Sequence, residues 1–236
     1  MNKATKLRIV GYIMIILGIS ILFTFFFIRI VSKNEIKQVI DRFDEISNNE
    51  KTNENEKNSN NIKLSQLFND MKKYNENLIK NGQEINGVLS FQDMDFDLTK
   101  YGYEENIIGK VRIPTLELEL PIYLGTTDEN LYKGSAHLSH TSLPLGEINS
   151  NCVIAAHRGL IHHQMFSRII NLKEGDKVYI TNLWETMEYE VCDSKTISPS
   201  DTSQILIQKG KDMITLISCH PYEGNAKRYV VYCKRN

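Results

Sequence analysis

The sequence is poor in cysteine and has no excess of charge of either sign. Its 236 residues include only four cysteines, too few to build a disulfide-stabilised scaffold. The 28 basic and 29 acidic residues give a net charge of −1, so the chain as a whole has no electrostatic reason to bind nucleic acid, and we expect no nucleic-acid partner. Hydrophobic residues make up 41% of the chain, which excludes a collagen-like or fully disordered protein and is enough for one domain with an apolar core.

The sequence also lacks the spacing patterns of a metal site. Imidazole and thiolate groups are zinc ligands, and the chain has six histidines and four cysteines. It contains no C-x-x-C and no H-E-x-x-H motif, and the adjacent pair His162-His163 fits a solvated loop. We therefore expect neither a metal ion nor another cofactor.

Apolar residues are concentrated near the N-terminus. From Ile9 to Ile28 twenty consecutive residues carry no charge, and at about 1.5 Å per residue a helix of this length spans roughly 30 Å, the thickness of a bilayer core. A cleaved signal peptide is the alternative, but the run is longer than the usual apolar region of about 7–15 residues and no small-x-small cleavage site follows it. Basic residues precede the run and favour an N-terminus inside the cell: Lys3, Lys6 and Arg8.

The pattern of the N-terminal third predicts a single-pass protein of the cell membrane. Residues 1–8 form a basic cytoplasmic stub, residues 9–28 a transmembrane helix in contact with membrane lipid, and the remainder lies outside the cytoplasm. Residues 29–61 are expected to form a juxtamembrane helix followed by a flexible linker, because Ser47 to Asn61 contains no apolar residue. Residues 62–106 are expected to form an amphipathic helix, ending near Asn81-Gly82, and then a loop that covers another surface.

The remaining residues, 107–236, have the pattern of a β domain. Short runs rich in β-branched residues alternate with turn residues, which is typical of a barrel or a sandwich. The pattern also predicts a short helix from Met165 to Leu172. The predicted strands are Ile107 to Ile113, Leu118 to Tyr123, Cys152 to Ala156, Lys177 to Thr181, Met187 to Cys192, Met213 to Ser218 and Tyr229 to Cys233.

Three residues with useful chemistry lie at ends of predicted strands. Cys219 closes the run ITLISC, His157 closes VIAAH, and Arg228 opens RYVVYC nine residues after Cys219. A lone cysteine on an apolar strand is usually a core residue, so Cys219 alone indicates little. If the three strand ends meet, however, a thiol, an imidazole and a guanidinium share one edge of the domain.

This combination of groups suits acyl transfer. A thiolate attacks a carbonyl to form a thioester, an imidazole protonates the departing amine, and a guanidinium binds the oxygen that becomes negative in between. Arginine suits the last role because it stays charged and presents several donors in one plane. Spacing alone leaves open whether these residues do so.

Four motifs follow one another along the β domain: HRGL (157–160), LKEGDKVYI (172–180), TLISC (215–219) and HPYEGNAKR (220–228). In this order they identify a family more specifically than any one of them alone. The stretch from Ile107 to Cys233 resembles the sortases of Gram-positive bacteria, and among these most closely the class C, pilus-building branch.

The resemblance implies an eight-stranded β-barrel with short helices that forms the catalytic domain, residues 107–236. It implies a cysteine transpeptidase in which Cys219 is the nucleophile, His157 the general acid and base, and Arg228 the stabiliser of substrate and oxyanion. Sortases recognise an LPXTG-like sorting signal on surface proteins or pilins and cleave it after threonine. They then pass the acyl group to an amine, which is a pilin lysine or a cell-wall precursor.

Two features depart from the class C pattern. The stretch Ser90 to Leu98 lies where that class carries a lid with an Asp-Pro-aromatic motif, but here Asp95-Phe96 has no proline, and no second hydrophobic span follows the barrel. The second departure places the pilus role, rather than the chemistry, in question. The alternatives are a sortase that anchors surface proteins to the cell wall, a cysteine protease that releases its product to water, and a membrane-tethered β-barrel that binds without catalysis.

Overall fold

The structure is a computed structural model of the whole chain, and it describes residues 2–52, 57–85, 87, 96–103, 105–159, 164–220 and 227–235. Eight strands form a closed barrel in the order β1-β2-β3-β4-β7-β8-β6-β5, so the predicted mostly-β barrel is confirmed. The strands are β1 Ile107–Ile113, β2 Leu118–Leu124, β3 Ser135–His137, β4 Ser150–Ala155, β5 Lys177–Thr181, β6 Thr186–Ile197, β7 Asp212–His220 and β8 Lys227–Lys234.

Two of the neighbouring strand pairs are parallel. β2 pairs with β3, and β4 pairs with β7. Parallel neighbours need a crossover between them; the short helix α3, Asp128–Lys133, lies in the crossover from β2 to β3. The pairing of β4 with β7 is important for the site because it aligns the C-terminal ends of two strands that are far apart in sequence.

Alternate residues of β4, β7 and β8 face opposite sides of the sheet. Ile154, Leu216 and Val231 belong to the main hydrophobic core. Their neighbours Val153, Ile217 and Val230 belong to a second cluster on the other face, which we call the outer cluster. It is covered by the β6–β7 connection, residues 198–211, through the buried side chain of Ile205.

The N-terminal helix α1 extends from Lys3 to Thr52. Its apolar run is exposed, and by length and composition it is able to cross a membrane. Farther along, the same helix packs on the barrel: Phe43 is 4% exposed, and Lys110 Nζ on β1 lies 2.6 Å from Asp44 Oδ2. One unbroken helix therefore joins the apolar run to the barrel.

The predicted linker over Ser47 to Asn61 differs from the structure. α1 continues to Thr52, and the second helix α2 begins at Lys57, so helix occupies both ends of that stretch. The physical reason is the barrel surface: Ser47 is buried against it, and its hydroxyl donates to the carbonyl of Leu183 at 3.3 Å. Composition alone does not reveal this docking contact.

Helix α2, Lys57–Asn81, is the predicted amphipathic helix. It buries Leu67 and Met71 in the main core, and the side chain of Asn75 exchanges two hydrogen bonds with the backbone of Leu143. The helix ends at Gly82, which adopts a left-handed conformation, φ +88°, and donates to the carbonyl of Leu78.

Two local predictions were wrong. Strand β3 was not predicted from the pattern of residues. The predicted helix Met165 to Leu172 is a turn followed by a single 3₁₀ turn, Ile169–Asn171. Met165 has φ +41°, outside the region that a right-handed helix requires, so the helix cannot begin there.

Candidate active site

Cys219 lies one residue before the end of β7. It has the same strand parity as Ile217, so it lies on the face of the outer cluster and not on the face of the main core. Its side chain is half-buried, whereas the residues of β7 from Met213 to Ser218 are buried. The strand therefore holds the thiol rigidly and leaves it accessible.

Arg228 is the direct register partner of Cys219. The pair belongs to the antiparallel ladder between β7 and β8. Opposed residues in such a ladder have Cα atoms about 4.5–5.5 Å apart and point to the same face. The half-buried guanidinium of Arg228 donates from one terminal nitrogen to the carbonyl of Lys227 at 3.1 Å.

His157 lies on the other side of Cys219. Ala155 on β4 is paired with Ile217 on β7, and the amide of Ala156 donates to the carbonyl of Ile217 at 3.1 Å. The ladder ends at this pair; His157 is two residues beyond Ala155 and Cys219 two residues beyond Ile217, at the same end of the parallel pair. The carbonyl of His157 accepts from the amide of Phe166 at 3.0 Å, which fixes the backbone as it leaves the strand.

The structure therefore brings the three predicted residues onto neighbouring segments. Cys219 is central, with His157 at the end of β4 on one side and Arg228 at the start of β8 on the other. Strands in a sheet lie about 4.8 Å apart, so the three residues lie at one edge of the barrel. Their individual roles in catalysis stay predictions.

The charge state of His157 depends on two opposing influences. Partial burial lowers the pKa of His157 below that of a free imidazole, and the nearby carboxylate of Asp128 acts in the opposite direction. Asp128 is the first residue of α3, whose start is capped by the Thr127 hydroxyl accepting from the amide of Asn130 at 3.2 Å. The sequence does not identify Asp128 as part of the site, because a helix-capping pattern predicts where a helix begins and not which side chain it faces.

The segment that enters the candidate lid lies on the same face of the barrel as Cys219. Gln83 accepts from the amide of Ile207 at 2.7 Å and donates to the carbonyl of His140 at 3.0 Å. Ile85 packs against the outer cluster. Of the candidate lid, Ser90 to Leu98, residues 90–95 lie outside the described residues, as do His162, His163 and Tyr222; Phe96 stacks on Tyr101, and Leu98 is buried.

The other cysteines differ from Cys219 in their surroundings. Cys152 and Cys233 are buried in the core, where burial raises the pKa of both thiols. Cys192 is half-buried, and burial raises its pKa as well. All four cysteines are unpaired by disulfides in the structure, and the residues it describes include no group of three or more metal-ligating side chains.

Comparison with known proteins assigns the chain to a family. The family model "Sortase domain" matches residues 111–236, more than half of the chain. Sortase A of Bacillus anthracis is 35% identical over 128 residues, which are 54% of this chain and 59% of that protein. Sortase D of Bacillus subtilis strain 168 is 32% identical over 160 residues, 66% of this chain and 78% of that protein.

Solved structures give the same result for the fold. The crystal structure of sortase C-1 from Streptococcus pneumoniae superimposes with a TM-score of 0.73 at 30% identity, and the match covers 84% of this chain and 98% of that one. The predicted resemblance to sortases, with class C members among the similar structures, is therefore confirmed. The barrel, its order of strands and these matches together show that the chain belongs to the sortase family, whose members are cysteine transpeptidases.

Proposed function

We propose that this protein is a membrane-anchored sortase that cleaves an LPXTG-like sorting signal after its threonine and transfers the acyl group to an amine. The observation that carries the proposal is the register of the sheet. β4, β7 and β8 are neighbours; the β7–β8 ladder pairs Cys219 with Arg228, and His157 follows the β4 end that is aligned with the same end of β7. A binding module with a structural cysteine has no need of that alignment.

The first half-reaction forms a thioester. The thiolate of Cys219 attacks the threonine carbonyl, and the guanidinium of Arg228 stabilises the negative oxygen of the tetrahedral intermediate. The C–N bond then breaks, and His157 as imidazolium gives its proton to the departing amine. The acyl group stays on Cys219.

The second half-reaction reverses these roles. An incoming amine attacks the thioester, and the neutral imidazole of His157 takes the proton that the amine loses. The C–S bond breaks, a new amide is released, and the thiolate–imidazolium pair is restored. Water in place of the amine gives hydrolysis, which is the protease alternative.

The N-terminal helix supports the proposed location. The side chains of α1 along the apolar run are exposed, for example 71% for Leu22 and 68% for Phe23, which in water is unfavourable for a run of this length. A lipid bilayer is the environment that suits such a surface. We infer that the barrel works at the outer face of the cell membrane, where sorting signals emerge.

For the acceptor we propose the lysine amine of a pilin. The support comes from class C neighbours: a Streptococcus pneumoniae sortase C structure that resembles this one, with a TM-score of 0.69 and 31% identity, is described with pilin substrate specificity. The amine of a cell-wall precursor is the second candidate, and the similarity to Sortase A proteins favours it. An acceptor panel separates the two.

The decisive experiment compares cysteine variants of the full chain in detergent. The Cys219→Ala variant is expected to lose both cleavage of an LPXTG peptide and the thioester adduct seen by mass spectrometry. The matched control is Cys192→Ala, because Cys192 is also half-buried but lies near the far end of β8, where its thiol contacts the Tyr232 carbonyl at 3.4 Å. Cleavage retained by Cys219→Ala refutes the proposal.

The same assay tests Arg228 and the acceptor. Removing a donor to the oxyanion typically lowers kcat by about 10²–10³-fold, so Arg228→Gln is expected to fall in that range with the fold intact. A lysine-containing pilin-type peptide and a peptidoglycan-type amine are then offered to the wild-type thioester. Preferential ligation of the lysine peptide supports the pilus role, and ligation of neither supports hydrolysis.

A further inference from the structure

A cavity lies on the outer face of the barrel, far from Cys219. It has a volume of about 430 Å³ and is formed by β6, β7, β8 and the β6–β7 connection. Met213 and Lys234 face each other across the β7–β8 ladder there, six residues along from the Cys219–Arg228 pair. At about 3.3 Å per residue the two places are roughly 20 Å apart, so this cavity is separate from the candidate active site.

Three lysines surround the cavity. Lys195 comes from β6, Lys234 from β8, and Lys211 from the end of the β6–β7 connection, where Gln208 accepts a hydrogen bond from it at 2.7 Å. In the part of the chain that the structure describes, none of these three ammonium groups is in an ion pair. Other lysines of the barrel surface are paired with carboxylates: Lys110, Lys133 and Lys177.

The charge of the lining is therefore positive. Among the described residues that form the cavity, Asp193 supplies the single carboxylate against three ammonium groups. Like charges brought to one concave surface repel each other. A bound anion removes that repulsion. The lining residues carry a net charge of +2 with which to attract one, and the carboxylate of Asp201 also acts on Tyr232 from outside the lining.

A buried hydroxyl without a hydrogen-bond partner among the described residues also favours an anionic ligand. Tyr232 lines the cavity, is 4% exposed, and its hydroxyl has no hydrogen-bond partner among the described residues. Burial raises the pKa of Tyr232, so the hydroxyl keeps its proton and is able to donate it. The ammonium of Lys195 lies over the ring of Tyr232, 5.1 Å from the ring centre.

From these features we propose that the cavity between β6, β8 and the β6–β7 connection binds a phosphate group. Three ammonium groups, the Tyr232 hydroxyl and the amides of Gln204 and Gln208 offer more donors than the two oxygens of a carboxylate use. A phosphate presents three or four acceptor oxygens, and lysine binds it as a point charge. Either a phosphate monoester or free phosphate, or a phosphodiester of an anionic polymer, carries this chemistry.

The proposal does not rest on the sortase reaction. An extended peptide covers about 3.3–3.6 Å per residue, so about six residues separate an acyl group on Cys219 from a phosphate in the cavity. Both sites are thus able to be filled at once. Binding is measured without any peptide substrate, which keeps its outcome independent of the proposed activity.

The test uses the full chain in an uncharged detergent at constant ionic strength set with chloride. Titration calorimetry measures affinity for inorganic phosphate and for a glycerol phosphodiester. Replacing the three lysines, as Lys195→Gln, Lys211→Gln and Lys234→Gln together, is expected to weaken phosphate binding at least tenfold. The matched control replaces three exposed lysines elsewhere with glutamine and is expected to bind as wild type: Lys73, Lys80 and Lys173.

The Tyr232→Phe variant supplies a second, independent readout. It is expected to weaken phosphate binding several-fold, and to leave the melting temperature in phosphate-free buffer unchanged or higher, because it removes a buried donor that has no partner among the described residues. Tighter binding of the diester identifies a polymer as the source, and tighter binding of inorganic phosphate identifies a small ion or monoester. The proposal is overturned if neither ligand binds, if the lysine variant binds like its control, or if Tyr232→Phe binds like wild type.

Discussion

His137 makes the stability of the barrel sensitive to acid. It is fully buried in β3, and its Nε2 lies 3.2 and 3.1 Å from the carbonyls of Thr141 and Ser142, so this nitrogen carries the proton and donates. Its other ring nitrogen, Nδ1, has no partner in the described part of the protein. Protonating Nδ1 would place a charge in the core with no acceptor for the new N–H.

The size of the effect follows from the pKa. Burial lowers the pKa of His137 from 6.5 to about 4. The folded state binds this proton less readily than the unfolded state, so the contribution to stability is complete above pH 6.5 and is lost as the pH falls towards 4. At about 1.36 kcal/mol per pKa unit, the free energy of unfolding falls by about 3 kcal/mol over this range because of His137 alone.

The measurement is the free energy of unfolding by denaturant between about pH 7.5 and 4, followed in the barrel. The His137→Gln variant is expected to be less stable at neutral pH but to lose about 3 kcal/mol less than wild type on acidification, since glutamine does not titrate. His140→Asn is the matched control because His140 is exposed and adopts φ +62°, which asparagine tolerates. Parallel curves for wild type and His137→Gln would refute the reasoning.

Two further predictions concern the site and the sheet. In Asp128→Asn the pKa of His157 should fall, because the carboxylate that opposes burial is gone. The limb of the pH–rate profile for peptide cleavage that reports His157 should then move to lower pH, and Glu129→Gln, whose carboxylate is paired with Lys133, should leave it in place. In Gly109→Ala the new methyl group would stand 2.5 Å from the backbone oxygen of Thr181. Thermal unfolding should show a loss of about 1–3 kcal/mol, whereas Gly18→Ala, with open space around it, should unfold as wild type; an unchanged Gly109→Ala protein would contradict the close packing of β1 and β5.

Local patterns located the strands but not all of their ends. The run Ile107 to Ile113 is rich in β-branched residues and ends before Pro114, and β1 has the same bounds in the structure, whereas the strand predicted from Met187 to Cys192 extends as β6 from Thr186 to Ile197. β3 could not be predicted in this way because three residues, Ser135–His137, are too few to show alternation. β3 forms because β2 and β4 flank it and pair with it on both sides.

Contacts distant in sequence account for most of the remaining differences. The polar stretch after Ser47 has the composition of a linker, yet α1 continues to Thr52, and Ser47 contacts Leu183, 136 residues away. The convergence at the candidate site is of the same kind. Sequence placed Cys219 and His157 at strand ends, but their proximity depends on the parallel pairing of β4 and β7, which no local pattern encodes.

The resemblance to sortases supplied information that the residue pattern did not. It predicted a closed eight-stranded barrel when seven strands were visible, and the barrel is closed. It also favoured Arg228 over Arg158, the arginine that follows His157, as the stabiliser of the oxyanion. The influence of Asp128 on His157 had no counterpart in the four motifs, because it depends on where a short helix crosses the barrel surface.

Because α1 is unbroken, its length sets both the rotation of the barrel about the helix axis and the height of the barrel above the bilayer. Eight residues of helix lead from Ile28, where the apolar run ends, to Ile36, where packing against the barrel core begins, so the separation is about 12 Å along the axis. Each residue turns the helix by about 100° about its axis. Two inserted residues would therefore rotate the barrel by about 200° about that axis, so that the catalytic edge faces nearly the opposite side, and would raise it by only about 3 Å. Seven inserted residues make nearly two full turns, so they would return the barrel to its original orientation about 10 Å farther from the lipid. The number of residues between the apolar run and the barrel therefore decides which side of the barrel, and so which incoming chains, the thiol of Cys219 faces.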